Sequence, residues 1–300
     1  MVSRFNEPTT IFNEPTTIRE RYADFPEAGT EKIISQMPKL LAANRYPASF
    51  ADSMVSKLRA FDLYASVLEN PSQYSPEYRA EVAGFFKDVW SNYVDTGDAI
   101  FLSTDGKARI NLVNPETARD SDFLKLIDDS NKDKLRNGAV VLTDGMYASA
   151  NVPAEFSKEE MQSLTNRQYS ELGALDNKIW RILARDPNEV PRELAEDSEL
   201  LRTFTKAVNY LSALAFDYTK NMGVYTSDPQ NVETGRLWCA DGLWDGSGAG
   251  GRVHLGSYDG RLVGVAPEAP RLAAPSTERL EEIIKKLKPH EQEVKQLLVA

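Results

Sequence analysis

The sharpest chemical signal in the chain is the run Gly246-Ser247-Gly248-Ala249-Gly250-Gly251-Arg252-Val253. Its letters match G-x-G-x-x-G-x-V, the pattern of loops whose backbone N–H groups close on a phosphate. The surrounding sequence fails both uses of that pattern. A dinucleotide fingerprint needs a strand before it and a helix after it, and here a strand is expected to follow. A kinase loop needs V-A-I-K, H-R-D and D-F-G downstream, whereas 263–267 holds no lysine and neither later motif exists. The run reads as a flexible glycine-rich turn, with Gly248 as a ligand-binding candidate.

Cys239, His254 and Asp259 form a second candidate set within the same stretch. A cysteine nucleophile needs an imidazole to raise its thiolate fraction, and a carboxylate can orient that imidazole. Against this, Cys239 follows Leu237-Trp238 in an expected strand, and free cysteine is among the most often buried residues. The expectation is a buried, unreactive thiol. Five Asp-Gly pairs, at 105–106, 144–145, 241–242, 245–246 and 259–260, bring carboxylates to turns. They lack the alternating spacing of a calcium loop, and Asp-Gly is what tight hairpins prefer. No metal and no cofactor is expected. Trp238, Trp244 and Tyr258 lie near Arg236, Arg252 and Arg261. Trp238, Trp244, Arg252 and Tyr258 are therefore candidates for a pocket or an interface, in competition with ordinary core packing.

The elements that position these residues can be read from periodicity. Residues 1–28 read as an extended arm, because Phe5–Ile11 and Phe12–Ile18 repeat the same FNEPTTI and each proline disfavours a helix. Phe5, Ile11, Phe12 and Ile18 are its candidate partner-binding anchors. Residues 29–97 carry three helical stripes, two of them opened by Ser49 with Asp52 and by Ser75 with Pro76. Gly97 is expected to stop the third. Residues 98–275 form the expected core. Hairpins are expected at Asp105-Gly106, Asp144-Gly145 and Asp259-Gly260. Two long helices, 157–184 and 198–222, are expected to pack antiparallel through their 3-4 alternation. A C-terminal helix spans 276–300. Helices and hairpins fall in separate runs, which argues for an α+β fold, with a boundary near residue 97 allowed.

The 300 residues carry 35 basic and 45 acidic side chains, a net charge of −10. That field repels phosphate, so neither duplex nucleic acid nor an anionic membrane is an expected partner. One cysteine excludes an intrachain disulfide. No spanning apolar run and no apolar leader is evident, so the expected location is cytoplasmic. No catalytic motif survives its context. The leading expectation is a non-catalytic protein-interaction or assembly subunit, through a protein partner or self-association. The alternative is a hydrolase or transferase working from residues 236–261.

Overall fold

The computed structural model describes residues 22–25, 31–114, 117–184, 198–218, 220–258, 260–267 and 273–299. The repeated arm with Phe5, Ile11, Phe12 and Ile18 lies outside them, as does Asp259.

The chain is a mixed helix-and-strand structure around one sheet of mixed strand orientation. Its central strand is β3 (Val94–Leu102), every residue of which is buried. On one side β3 pairs antiparallel with β8 (Thr234–Ala240). β8 pairs antiparallel with β9 (Ala249–Gly251), and β9 runs parallel to β7 (Val224–Thr226). On the other side β3 meets β10 (Leu262–Val265) in parallel, and β10 carries β1 (Tyr22–Phe25) and β2 (Tyr46–Pro47) antiparallel. β4 (Ala108–Asn111) pairs with the end of β3, turning back through 103–107.

Both faces of this sheet are covered, which is why β3 has no polar-out alternation. Ile100, Leu102, Trp238 and Ala240 face one core together with α2 (Phe50–Glu69), α3 (Pro76–Ser91) and α8 (Glu199–Phe216). α9 (Thr277–Leu287) and α10 (Glu291–Val299) complete that layer. Ala99, Phe101, Leu237 and Leu262 face the second core, covered by α1 (Ile33–Ala42) and α4 (Asp122–Leu126).

Helix starts follow local chemistry. Ser49 and Asp52 form a reciprocal capping box at α2, and the Ser75 hydroxyl accepts from the Tyr78 N–H with Pro76 in the first turn of α3. α1 continues through Pro38. α3 ends at Ser91, not at Gly97, which lies inside β3. A Cβ on Gly97 would stand 2.6 Å from Pro47 Cγ, so this glycine serves close strand packing.

Four expectations are corrected. The helix expected over 157–184 is three short helices, Lys158–Leu164 (α5), Glu171–Asp176 (α6) and Lys178–Leu183 (α7). Asn166 takes φ 56° and its N–H binds the Val224 carbonyl, while the Asn177 side chain caps α7. The long helix pair therefore does not form; the loop backbone is drawn to the sheet edge instead. α8 also stops at Phe216, where Asp217 is left-handed, short of 222. Around Asp144-Gly145, Gly145 makes a turn at φ 80°, but β5 (Val140–Val141) pairs with β8 and not with 146–152. Around 259–260, β10 finds its partners in β1, β2 and β3, and 252–258 is irregular. In both cases the local turn signal leaves the choice of ladder partner to whichever strand lies alongside. Glu155–Phe156 (β6) pairs antiparallel with β4. No helix among the described residues is long and apolar enough to cross a membrane.

Candidate functional site

The end of β8 brings together the ionisable groups Lys57, Asp95, Cys239 and Asp241. Strand alternation sends Trp238 and Ala240 into the helical core and turns Cys239 to the opposite face. Asp95 on β3 and Gly250 on β9 are the register partners of Cys239, so the three stand in one row. The Cys239 thiol donates to Asp241 Oδ1 at 3.3 Å. Asp95 Oδ2 accepts from the Arg261 N–H at 2.8 Å. From the helical side, Lys57 of α2 donates from Nζ to the Asp241 carbonyl at 2.7 Å, and its ammonium lies 5.6 Å from the Trp90 ring centroid.

Two glycines of the run, Gly248 and Gly250, pack against this cluster. A Cβ on Gly250 would lie 2.7 Å from Cys239 Sγ, and one on Gly248 would lie 2.8 Å from Asp241 Oδ2. The Cys239 and Asp241 side chains occupy the space that side chains at 250 and 248 would need. That is a packing reason for glycine, distinct from phosphate approach.

Burial dominates the electrostatics. It raises Asp95 to about 7 against the help of the Arg261 N–H, with the Asp241 charge adding to the rise. It raises Asp241 to about 6 and Asp98 to about 7. Asp98 accepts from the backbone N–H groups of Phe50 and Val113, both at 2.7 Å. Burial also lowers Lys57 to about 8. The Cys239 thiol is pushed well up by burial and then by the charges of Asp241 and Asp95. Cys239 thus stands beside carboxylates, which disfavour a thiolate. His254 is exposed and packs its ring against Gly138 and Gly256. We expect a thiol reagent at pH 7 to label native Cys239 about tenfold or more slowly than free cysteine. Labelling at the free-thiol rate, slowed by His254→Ala, would restore the nucleophile reading.

The aromatic candidates separate. Trp238 is fully buried against Gly251 as part of the core. Arg252 lays its guanidinium 4.7 Å from the Tyr225 ring centroid, and Tyr258 is exposed beneath the Lys32 ammonium. Trp244 is 54% exposed in the 3₁₀ turn Leu243–Asp245. Its indole N–H donates to the Ser91 carbonyl at the end of α3, at 2.9 Å. Tyr218 donates its hydroxyl to the Trp244 carbonyl at 3.2 Å and stacks on Phe216 at 5.5 Å. Gly242 allows this: a Cβ there would sit 2.3 Å from the Ser91 carbonyl oxygen.

No protein-family model, no curated protein and no solved structure matches this chain. Its function has to be argued from these groups alone.

Spacing does not single out Lys57, Asp95 or Phe216, and it places Tyr218 only in the apolar stripe of the helix expected over 198–222. Lys57 was legible in principle, since it sits within the apolar stripe Met54, Leu58 and Phe61, where a cation demands a buried partner. Asp95, between Val94 and Thr96 in a strand, carries the same kind of signal. The Tyr218 spacing points to helix packing, whereas its contact with Trp244 depends on a chain segment distant in sequence. Among the described residues no group of three or more His, Cys, Asp or Glu is placed to hold a metal ion.

Proposed function

We propose that this chain is a non-catalytic protein-interaction or assembly subunit that engages its partner through Trp244, Tyr218 and Phe216. The observation that carries this reading is the pinned exposure of Trp244. An exposed indole normally samples several rotamers and loses that freedom on binding. Here the indole N–H is already committed to a helix-terminal carbonyl, and the backbone beneath it is held by Tyr218. Large rigid aromatics of this kind contribute disproportionately to interface energy.

Exposed Asp217 and Asp245 flank the patch, and the whole chain carries −10. Charge complementarity favours a different protein bearing basic residues over a second copy of this chain. The repeated anchors Phe5, Ile11, Phe12 and Ile18 belong to the same reading as a second point of attachment. So does a cytoplasmic setting.

The test is capture from a lysate of the source organism with wild-type, Trp244→Ala and Tyr218→Ala chains. Proteins held by the wild type and lost about tenfold or more with both variants, at unchanged melting temperature, would establish the face, since central aromatic anchors are worth 2 kcal/mol or more. An identical set from all three would remove it.

One feature favours a second reading as a hydrolase or transferase: burial raises Asp95 to about 7 and Asp241 to about 6, toward the range in which a carboxyl can act as a general acid. Turnover of p-nitrophenyl acetate or p-nitrophenyl phosphate by the wild type, abolished in Asp241→Asn, would favour it over the interaction reading.

A further inference from the structure

The cleft between α2, α3 and α10 uses none of the residues above. It encloses about 320 Å³, within the usual size range of small-molecule sites. Val67, Leu68 and Ala83 give it apolar walls, and Pro71 closes one end. Arg79 reaches in from the first turns of α3, and its Nε is buried with no hydrogen-bond partner among the described residues. Arg79 makes no salt bridge among those residues either. Glu77 lies within electrostatic reach of it but is fully exposed. His290 and Glu293 come from the C-terminal segment and are engaged with each other, Nδ1 to Oε2, at 3.7 Å. Tyr64 lines the floor, its phenol held protonated by burial and by the Glu293 charge, so it offers an O–H donor.

The cleft thus combines a guanidinium whose buried Nε has no hydrogen-bond partner among the described residues, one phenol donor, the His290–Glu293 pair and a wall of aliphatic carbon. A buried guanidinium nitrogen without an acceptor is costly, and a carboxylate is the acceptor that matches its fork. We infer that this cleft binds a small monocarboxylate with an apolar body, its carboxylate on Arg79 and its body against Val67, Leu68 and Ala83. Such a ligand bridges α2 and α3 to α10, so its binding also fastens the C-terminal helix to the body.

The test is calorimetric titration of the full chain with octanoate, 1-octanol, octylammonium and acetate. Saturable binding of octanoate is expected, with acetate weaker for lack of a body and the other two weaker for lack of the charge. Arg79→Gln should weaken octanoate about tenfold or more, the value of a charge-assisted bidentate contact. Ala83→Leu, which fills the cleft and leaves Arg79 in place, should weaken it as well. Equal binding of octanol or octylammonium, or undiminished octanoate binding in either variant with an intact melting transition, overturns the inference. Absence of saturable octanoate binding overturns it too, and the octylammonium and Ala83→Leu arms decide the matter if Arg79→Gln fails to fold.

Discussion

Between about pH 4 and pH 8 the folded state is expected to lose stability, on the order of 4 kcal/mol for each fully buried aspartate. Asp95 and Asp98 are raised to about 7 and Asp241 to about 6. In the unfolded chain an aspartate titrates near pH 3.9. From there up to the folded value, the folded state holds protons that the unfolded state has released, so each pH increment favours unfolding. This contribution is fully present below about pH 4 and is lost as pH rises through about 7. Lys57, lowered to about 8, acts in the opposite direction only above that pH.

Exposed carboxylates such as Glu160, Glu199 and Glu281 are lowered by hydrogen bonds to Ser157, Thr277 and Lys206, and they lose stability only as pH falls through their folded values. The optimum should therefore lie on the acid side of neutrality, near pH 4–5 on the aspartate values above. Urea denaturation at a series of pH values checks this. Asp95→Asn keeps an acceptor for the Arg261 N–H and removes the charge. It should raise stability at pH 8 and leave pH 4 nearly unchanged. A flat profile, or a stability that rises toward pH 8, would show that these carboxyls are ionised at little cost.

Two leucines, each in an apolar stripe, should behave in opposite ways. Leu211→Ala is expected to cost about 2–5 kcal/mol, the range for a truncated core leucine. Leu211 is completely buried on α8 among Phe204, Val208 and the sheet. Leu172→Ala should change stability by no more than about 0.5 kcal/mol, because Leu172 is 74% exposed at the start of α6. Both residues read as core from 3-4 spacing. A loss above 2 kcal/mol on truncating Leu172, of the size reserved for core sites, would place it at an interface or in a longer helix than α6. Denaturant titration of the two variants side by side measures the contrast.

That pair shows where periodicity stops being informative. Spacing reports that a segment has an apolar side, and it cannot report whether the chain between two turns stays straight. Over 157–184 the stripe is real for Met161, Ile179 and Ile182, all buried. Asn166 and Asn177 break the path between them by binding backbone groups of the sheet edge and of α7. Asparagine at those positions permits a turn; the neighbouring strand β7 makes it favourable.

The candidate site divides along the same line. Cys239 beside Trp238 in a strand reads as a buried thiol, and the structure leaves it half-buried. Its partners were not legible, since Asp95 and Gly250 reach it only by strand pairing. His254 was close in sequence and packs elsewhere, against Gly138.

What this sequence determined by itself is what is settled within three or four residues. Ser49 with Asp52, Ser75 with Pro76, and Ser157 with Glu160 start their helices because cap and acceptor lie within one turn of each other. The tertiary structure decided which strand each strand would join, why Gly248 and Gly250 carry no side chain, and why Lys57 can sit in an apolar stripe. The reason is that backbone ladders are nearly indifferent to sequence. Register and partner are chosen by which buried faces can close together, and that choice couples residues as distant as Lys57 and Asp241.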